Sequence, residues 1–377
     1  MSQDFIPVNT PLLGGNEKQY LVECIDSGWI SSEGPFVTRL EEGLAGLTGR
    51  KQGIAVANGS VALDIALASL QLQPGDEVIL PTFTIISCAA AIVRAGAVPV
   101  CVDCDSGTWN MTAAGIQSRI TSKTRAIMVV HLYGLPCDMD PILALANQHQ
   151  LRVIEDAAEM HGQTYRGRPC GSFGDISTFS FYPNKHITTG EGGMIVTDDE
   201  LLGQRCRSLR NLCFQKKRFV HEELGVNARL SNLQAAVGVA QLEQLPDFVL
   251  KKRRMGEIYS ELLRDDDRLQ LPLSSTDYAE NIYWVFGVVL NDNVNVDAEE
   301  LMSRLGEKGV GTRPFFWPMH EQPVFQRMGL FANEHHPVAE RIARRGFYLP
   351  SGLSLTEQQM TRAASALKES LDQCAVS

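Results

Sequence analysis

Between Lys51 and Ile154 the chain switches repeatedly between short apolar runs and longer helical ones, and few folds accept that rhythm. Gly53–Val56, Glu77–Leu80, Val98–Val102, Ala126–Val130 and Arg152–Ile154 read as strands. Ser60–Leu70, Ile85–Ala95, Ala113–Ile120 and Pro141–Gln148 read as the helices between them. Strands separated by helices need crossover connections, which makes the sheet mostly parallel. The strand runs are continuously apolar (Val78-Ile79-Leu80, or Ala126 through Val130) instead of alternating, as expected when helices cover both faces.

Outside this block, Glu17–Ser27 and Phe36–Leu47 carry helical spacing on either side of the loop Gly28–Gly34. Ile176–Tyr182 and Gly193–Thr197 are strand-like and flank a polar elbow around Lys185. Asn232–Leu242 is a strongly apolar helix, and the more charged helix Pro246–Leu263 reads as a connector. Beyond it, Tyr283–Leu290 and Val310–Pro314 read as strands, with Ala298–Lys308 and Thr356–Gln373 as helices. A length of 377 residues suits two domains. The expectation is an α/β fold: a large domain over 1–245 with a mostly parallel, helix-flanked sheet, and a smaller α+β domain over 246–377.

Composition narrows the function. A net charge of −10 supplies no basic field for nucleic acid, and the Lys216–Arg218 and Lys251–Arg254 runs are local. No run of 18 apolar residues is present, so no membrane span is expected. The first residues lack the basic and apolar regions of a signal peptide. Nine scattered cysteines suit a reducing cytoplasm better than a disulfide framework. Cys101-Val-Asp-Cys104 has no second pair, and strand alternation would put its cysteines on opposite faces, so no metal site is expected. Cys374-Ala-Val-Ser377 has the form of a prenylation box, but without upstream basic residues it reads as a helix end.

The motifs that carry chemistry are not nucleotide fingerprints. Neither a GxGxxG after a strand nor a GxxxxGK[ST] occurs, and HExxH and GxSxG are absent. Asn58-Gly59-Ser60 lies between a strand and a helix start, where backbone amides and the helix dipole favour a phosphate; a plain turn with an N-cap reads the same. Asp156 closes a strand where open α/β sheets bind ligands, and Ala158 leaves room for a flat ring; an N-cap aspartate fits as well. Lys185, between Asn184 and His186, sits between two buried strands, where desolvation lowers an amine's pKa and makes it nucleophilic. A surface lysine is the bland reading of any one such residue. Together, a phosphate cradle, an acid for a pyridinium nitrogen and a strand-end lysine are the parts that pyridoxal 5'-phosphate needs. The 29 residues between Asp156 and Lys185 leave room for a loop and a strand.

Several stretches then carry a resemblance: GWISSEGPFV, ANGSVALDIAL, GDEVILPTFT, HLYGLPCDMDPI, VIEDAAE, GDISTFSFYPNKHITTGEGGMIVTDD, NARLSNLQAAVGVAQLE and RPFFWPMH. Along almost its whole length the chain resembles the DegT-type nucleotide-sugar aminotransferases, pyridoxal-phosphate enzymes of fold type I. The resemblance implies that Lys185 carries the cofactor and serves as acid and base, and that Asp156 pairs with the ring nitrogen. It implies that Gly59, Ser60 and Ser180 hold the phosphate, with Asn227 contributed by the partner subunit of a homodimer. Glu159 would lie near the ring oxygen, and Trp29, Arg313 and His320 fall in segments resembling the substrate lips. The family often stacks an aromatic residue on the ring where this chain has Ile85, with Phe83 as the substitute. The implied reaction is transfer of an amino group from L-glutamate to a nucleotide-linked 4-keto-6-deoxy sugar, GDP-4-keto-6-deoxymannose favoured over UDP- or dTDP-linked sugars. His186 beside Lys185 raises the rival of a pyridoxamine-phosphate sugar 3-dehydratase, which has histidine in the anchor position. A sensor that has kept the fold without turnover would have lost Lys185 or Asp156, and both are present.

Overall fold

Seven strands form the larger sheet of a computed structural model that describes residues 5–217 and 219–375. They are β1 (Gln52–Val56), β2 (Glu77–Pro81), β3 (Val98–Val102), β4 (Thr124–Val130), β5 (Arg152–Asp156), β8 (Ile176–Ser180) and β9 (Gly193–Thr197). The two-residue strands β6 (Thr164–Tyr165) and β7 (Arg168–Pro169) pair only with each other. The order across the large sheet is β1-β9-β8-β5-β4-β2-β3. β8, β5, β4, β2 and β3 run parallel, and β9 runs against both its neighbours.

Helices cover both faces, as the continuous apolar runs require. In chain order they are α1 (Glu17–Ser27), α2 (Pro35–Thr48), α3 (Gly59–Ser69), α4 (Ile86–Arg94), α5 (Ala113–Gln117), α6 (Met139–Gln148), α7 (Glu200–Arg210) and α8 (Asn232–Glu243). Local chemistry starts several of them. Asn58 caps α3 by accepting from the Val61 amide at 2.9 Å, a contact worth about 1 kcal/mol to such a helix. Ser231 and Gln234 close a reciprocal capping box on α8. On one face of the sheet Ile54, Val78, Leu80, Met128 and Ile154 share a core; on the other Ala55, Ile79, Ile127, Val129 and Val153 do.

We propose that the two units divide at the α8–α9 junction near residue 245. From there run α9 (Leu245–Leu263), α10 (Ala298–Glu307), α11 (Pro323–Arg327), α12 (Pro337–Arg345) and α13 (Glu357–Ala375). With them comes an antiparallel sheet, β10 (Leu269–Gln270), β11 (Gly287–Leu290), β12 (Arg313–Pro314) and β13 (Gly346–Tyr348), in the order β10-β11-β13-β12. The start of the chain joins this second layer: Ile6 pairs with Val310 and is buried in its core. In exchange Trp284, Phe315, Met319 and Ile342 pack into the core of the first sheet.

Two expected strands are shorter than their apolar content suggests. Tyr283–Leu290 is a strand only from Gly287, because Tyr283 takes a left-handed φ of 47° and its amide turns back to the Asn281 side chain. Val310–Pro314 is reduced to Arg313–Pro314, since Val310 pairs with Ile6 instead. All nine cysteines are buried, and Cys101 and Cys104 share one core, because β3 ends at Val102 and alternation does not carry on to Cys104. Arg218 of the basic run and the final Val376-Ser377 lie outside the described residues.

Candidate active site

At the elbow itself, Pro183 and Asn184 form a turn in which the Lys185 amide donates to the Tyr182 carbonyl at 2.9 Å. The chain then folds back: the Thr188 hydroxyl and the Thr189 amide both donate to the Phe181 carbonyl, at 2.8 and 3.0 Å. These bonds end β8 and turn Lys185 inward, leaving its side chain only 11% exposed.

Lys185 reaches into a cavity of about 610 Å³ at the C-terminal ends of β5 and β8. Its Nζ stands 3.7 Å from Glu159 Oε1 and 4.0 Å from the centre of the Trp284 ring. Burial pushes the amine below its ordinary range, while the carboxylates of Glu159 and Asp156 pull it back up. Burial pushes Glu159 up to about 7, against the pull of Lys185 and of the Tyr133 amide that donates to it at 2.6 Å. Desolvation therefore brings the acid and the base of this pair toward the same pH range, which suits proton transfer.

Asp156 ends β5 and is buried. The Ala158 amide donates to one of its oxygens at 3.0 Å and the Cys88 thiol to the other at 3.3 Å. Burial raises this carboxyl above the usual range, with those two donors working in the opposite direction. Behind it, Glu155 is fully buried and accepts from the Gly171 and Phe173 amides and the Ser177 hydroxyl at 2.6, 2.9 and 2.9 Å. A fourth donor is His131 Nε2 at 3.1 Å, because His131 Nδ1 is occupied in accepting from the Cys137 amide. The end of β5 is thus anchored before any ligand arrives.

The helix start expected to hold a phosphate also lines the cavity. Gly59 and Ser60 are the first two residues of α3, whose first amides have no acceptor within the helix. A Cβ on residue 59 would lie 2.7 Å from the Ser180 Cβ and 2.9 Å from its Oγ, so only glycine allows this approach. The Ser60 and Ser87 hydroxyls lie 2.7 Å apart. A glycine-lined helix start, a buried acid and a desolvated lysine converge on one cavity, and they fit pyridoxal phosphate.

Gly59, Ser60, Ile85, Asp156, Ala158, Glu159, Ser180 and Lys185 all line this cavity. Phe83, the aromatic alternative to Ile85, is buried in a ring cluster with Tyr133, Phe315 and Phe316 at 5.8–6.0 Å. Three of the expected substrate residues lie elsewhere. His320 is buried between the Thr82 hydroxyl (2.7 Å) and Glu340 (3.1 Å). Arg313 is exposed on β12, opposite Tyr348, and only Tyr348 reaches the cavity. Trp29 lines a second cavity of about 930 Å³ with Arg207, Arg210 and Arg229. Asn227 is exposed and bridges to Asn211, away from the lysine cavity of its own chain.

Of the other lining residues, Trp284 and Tyr348 lie outside every stretch that carried the resemblance, while Tyr182 and Phe316 lie inside such stretches without having been singled out. Tyr182, Trp284, Phe316 and Tyr348 form an aromatic wall drawn from four distant segments. No motif spacing links them to Asp156. Ser87 lies three residues beyond Thr84, at the start of α4, and brings a second hydroxyl beside Ser60.

The fold and the site define a pyridoxal-phosphate enzyme built on a mostly parallel sheet. The sequence pattern described as the DegT/DnrJ/EryC1/StrS aminotransferase family matches residues 11–368, and the chain belongs to that family. It is therefore a pyridoxal-phosphate-dependent sugar aminotransferase. A GDP-perosamine synthase of Escherichia coli O157:H7 is 42% identical over 366 residues, covering 97% of this chain and 98% of that one. A UDP-N-acetyl-3-dehydro-alpha-D-glucosamine 3-aminotransferase of Acidithiobacillus ferrooxidans is 41% identical over 334 residues, 88% of each chain. Among solved structures, S. venezuelae DesV in complex with a ketimine intermediate superposes with a TM-score of 0.88 at 32% identity, covering 95% of this chain and 94% of that one.

Proposed function

We propose that this enzyme transfers the amino group of L-glutamate to the C4 ketone of a nucleotide-linked 4-keto-6-deoxy sugar, with the GDP-linked mannose derivative as the favoured substrate. The observation that carries the reaction class is the convergence of Lys185, Asp156 and the Gly59–Ser60 helix start on one cavity. The sugar rests on likeness: GDP-perosamine synthases of Escherichia coli, Caulobacter vibrioides and Vibrio cholerae are 42%, 41% and 37% identical over nearly full length. The Acidithiobacillus relative, at 41%, supports a second reading in which a UDP-linked 3-keto sugar is aminated.

When bound, pyridoxal phosphate supplies an electron sink for charge developing at the carbon beside the transferred nitrogen. The first amides of α3, with Ser60 and Ser180, would hold the phosphate, and in a homodimer Asn227 of the partner subunit would complete that grip. Asp156 would pair with the ring nitrogen and keep it protonated, and Ala158 would leave room for the flat ring. Lys185 moves a proton on and off the reacting carbon, a task that needs an amine titrating nearer neutrality than an exposed lysine. Glu159 takes part in setting that range. The aromatic wall of Tyr182, Trp284, Phe316 and Tyr348 excludes water and offers flat faces to the sugar ring.

The dehydratase reading is disfavoured by the position of His186. Its ring is buried, 3.3 Å from the Ile282 carbonyl and packed near His161, while Lys185 faces the cavity. Among the described residues no helix is long and apolar enough to cross a membrane, and the buried thiols suit a cytoplasmic enzyme. A panel of GDP-, UDP- and dTDP-linked keto sugars, incubated with glutamate and read by mass spectrometry, tests the proposal. An amino sugar with 2-oxoglutarate is expected from the GDP-linked 4-keto sugar; a deoxygenated sugar, or amination confined to a UDP-linked 3-keto sugar, overturns it.

A further inference from the structure

Lys252 lies on α9, outside the cavity, yet it is only 2% exposed. Its Nζ donates to the Trp284 carbonyl at 2.8 Å and to the Ser351 carbonyl. Both acceptors are neutral, and burial lowers the amine to about 7. An uncharged amine has two N–H donors, and two carbonyls satisfy both of them.

The first of those carbonyls belongs to the residue whose ring covers Lys185. Trp284 is held at three points. Its carbonyl is held by Lys252, its indole Nε1 donates to the Asn184 carbonyl at 2.7 Å, and its ring stacks with Tyr133 at 5.8 Å. The preceding residue, Tyr283, is in the left-handed region at φ 47°, and its ring lies against Gly256, where a Cβ would come within 2.2–2.5 Å. Lys252 and Gly256 are one helical turn apart, so a single face of α9 grips both residues of this strained segment. A methionine at position 252 has a similar length but no donor, so it would leave the Trp284 and Ser351 carbonyls without this partner.

We propose that Lys252 is a positioning residue for the active-site lysine, holding the Trp284 main chain so that the indole face stands over Lys185 Nζ. The proposal rests on Lys185 being the reactive amine of the aminotransferase described above. A ring face 4.0 Å from an amine favours its protonated form, so the clamp holds the amine more basic than burial alone would leave it. The ionisable groups facing Lys185 are Glu159, Asp156, Cys88, His161 and His186, and Lys252 itself faces His186.

The test follows the Lys185 amine directly, without turnover. Full-length protein freed of cofactor is trace-labelled with acetic anhydride across a pH series, and acetylation of the Lys185 peptide is quantified by mass spectrometry. Trp284→Leu is expected to move the labelling midpoint down by roughly half a pH unit. Lys252→Met is expected to move it in the same direction, while Trp284→Phe and Lys252→Arg stay near the parent. In the loaded enzyme Lys252→Met lowers kcat and leaves KM for the sugar nucleotide unchanged. A Lys252→Met midpoint equal to the parent's, with Trp284→Leu shifted, overturns the role of Lys252; an unshifted Trp284→Leu overturns the clamp itself. Should Lys252→Met not fold, Lys252→Gln is read by the same criteria. The labelling needs no sugar, so a wrong substrate leaves this result standing. An unshifted midpoint in an enzyme that aminates the 4-keto sugar removes only the clamp.

Discussion

Gly59 and Ser180 approach so closely that a Cβ on residue 59 would sit 2.7 Å from the Ser180 Cβ. Ser180 is at the end of a strand, so the serine cannot swing clear at low cost. Gly59→Ala is therefore expected to push the helix start away from β8 and weaken cofactor binding by about tenfold or more, a loss on the order of 1.4 kcal/mol. Equilibrium dialysis against pyridoxal phosphate measures it; unchanged affinity would falsify the cradle.

Asp156 offers a different lever, because its effect is on charge and not on space. Asp156→Asn keeps the shape, and the Ala158 amide still has an oxygen to donate to. It removes the negative charge facing the ring nitrogen. The rate of the glutamate half-reaction is expected to drop by on the order of a hundredfold or more, with much of the cofactor still bound. Stopped-flow absorbance in the visible separates the two effects, and a half-reaction at the parental rate rules out the assigned role.

Glu159 is the carboxylate nearest the Lys185 amine, at 3.7 Å. Glu159→Gln removes the anion that favours the protonated lysine, so the amine loses its proton at lower pH. If free Lys185 is the base, the acid limb of the kcat profile moves toward lower pH. The sign matters: a limb that moved upward would contradict the role of Glu159 in favouring the protonated lysine, and a limb that vanished with the activity would mean that the glutamate itself is the base.

His161 governs acid stability. It is fully buried, neither ring nitrogen has a hydrogen-bond partner among the described residues, and burial lowers its pKa to about 3 from the usual 6.5. The folded state holds it neutral, whereas the unfolded chain takes up a proton below 6.5. Stability from this group is thus complete above pH 6.5 and is lost as pH falls toward 3, with a slope of up to about 1.4 kcal/mol per pH unit. His161→Leu should flatten urea midpoints across that window while leaving those above pH 7 little changed. Parallel pH dependence in the two proteins would show that other groups carry the acid sensitivity.

Features whose cause is local were legible in the chain. Continuous apolar runs set the sheet and its parallel core, Asn58 announced the helix start, and Pro183 and Asn184 announced the turn that presents Lys185. Each depends on neighbours within about one turn or one strand, where spacing is informative. Features that depend on distant packing were not legible. Ile85 and Phe83 are two residues apart with similar hydrophobicity, yet one lines the cavity and the other fills a core, because α4 starts just after Ile85 and turns only that position outward. His320 and Trp29 looked like substrate residues in sequence and lie outside the lysine cavity once the chain is folded.

The strand and helix rhythm, the helix start at Gly59-Ser60, the acid at the end of β5 and the turn at Lys185 are all short-range consequences of residue type. Only the tertiary structure decided the company that Lys185 keeps. Glu159 comes from the loop after β5, and Trp284 from a left-handed crossing about a hundred residues further on, held in place by α9. The pH range of the Lys185 amine is set by burial and by the carboxylates of Glu159 and Asp156, and desolvation exists only after the chain has closed around it.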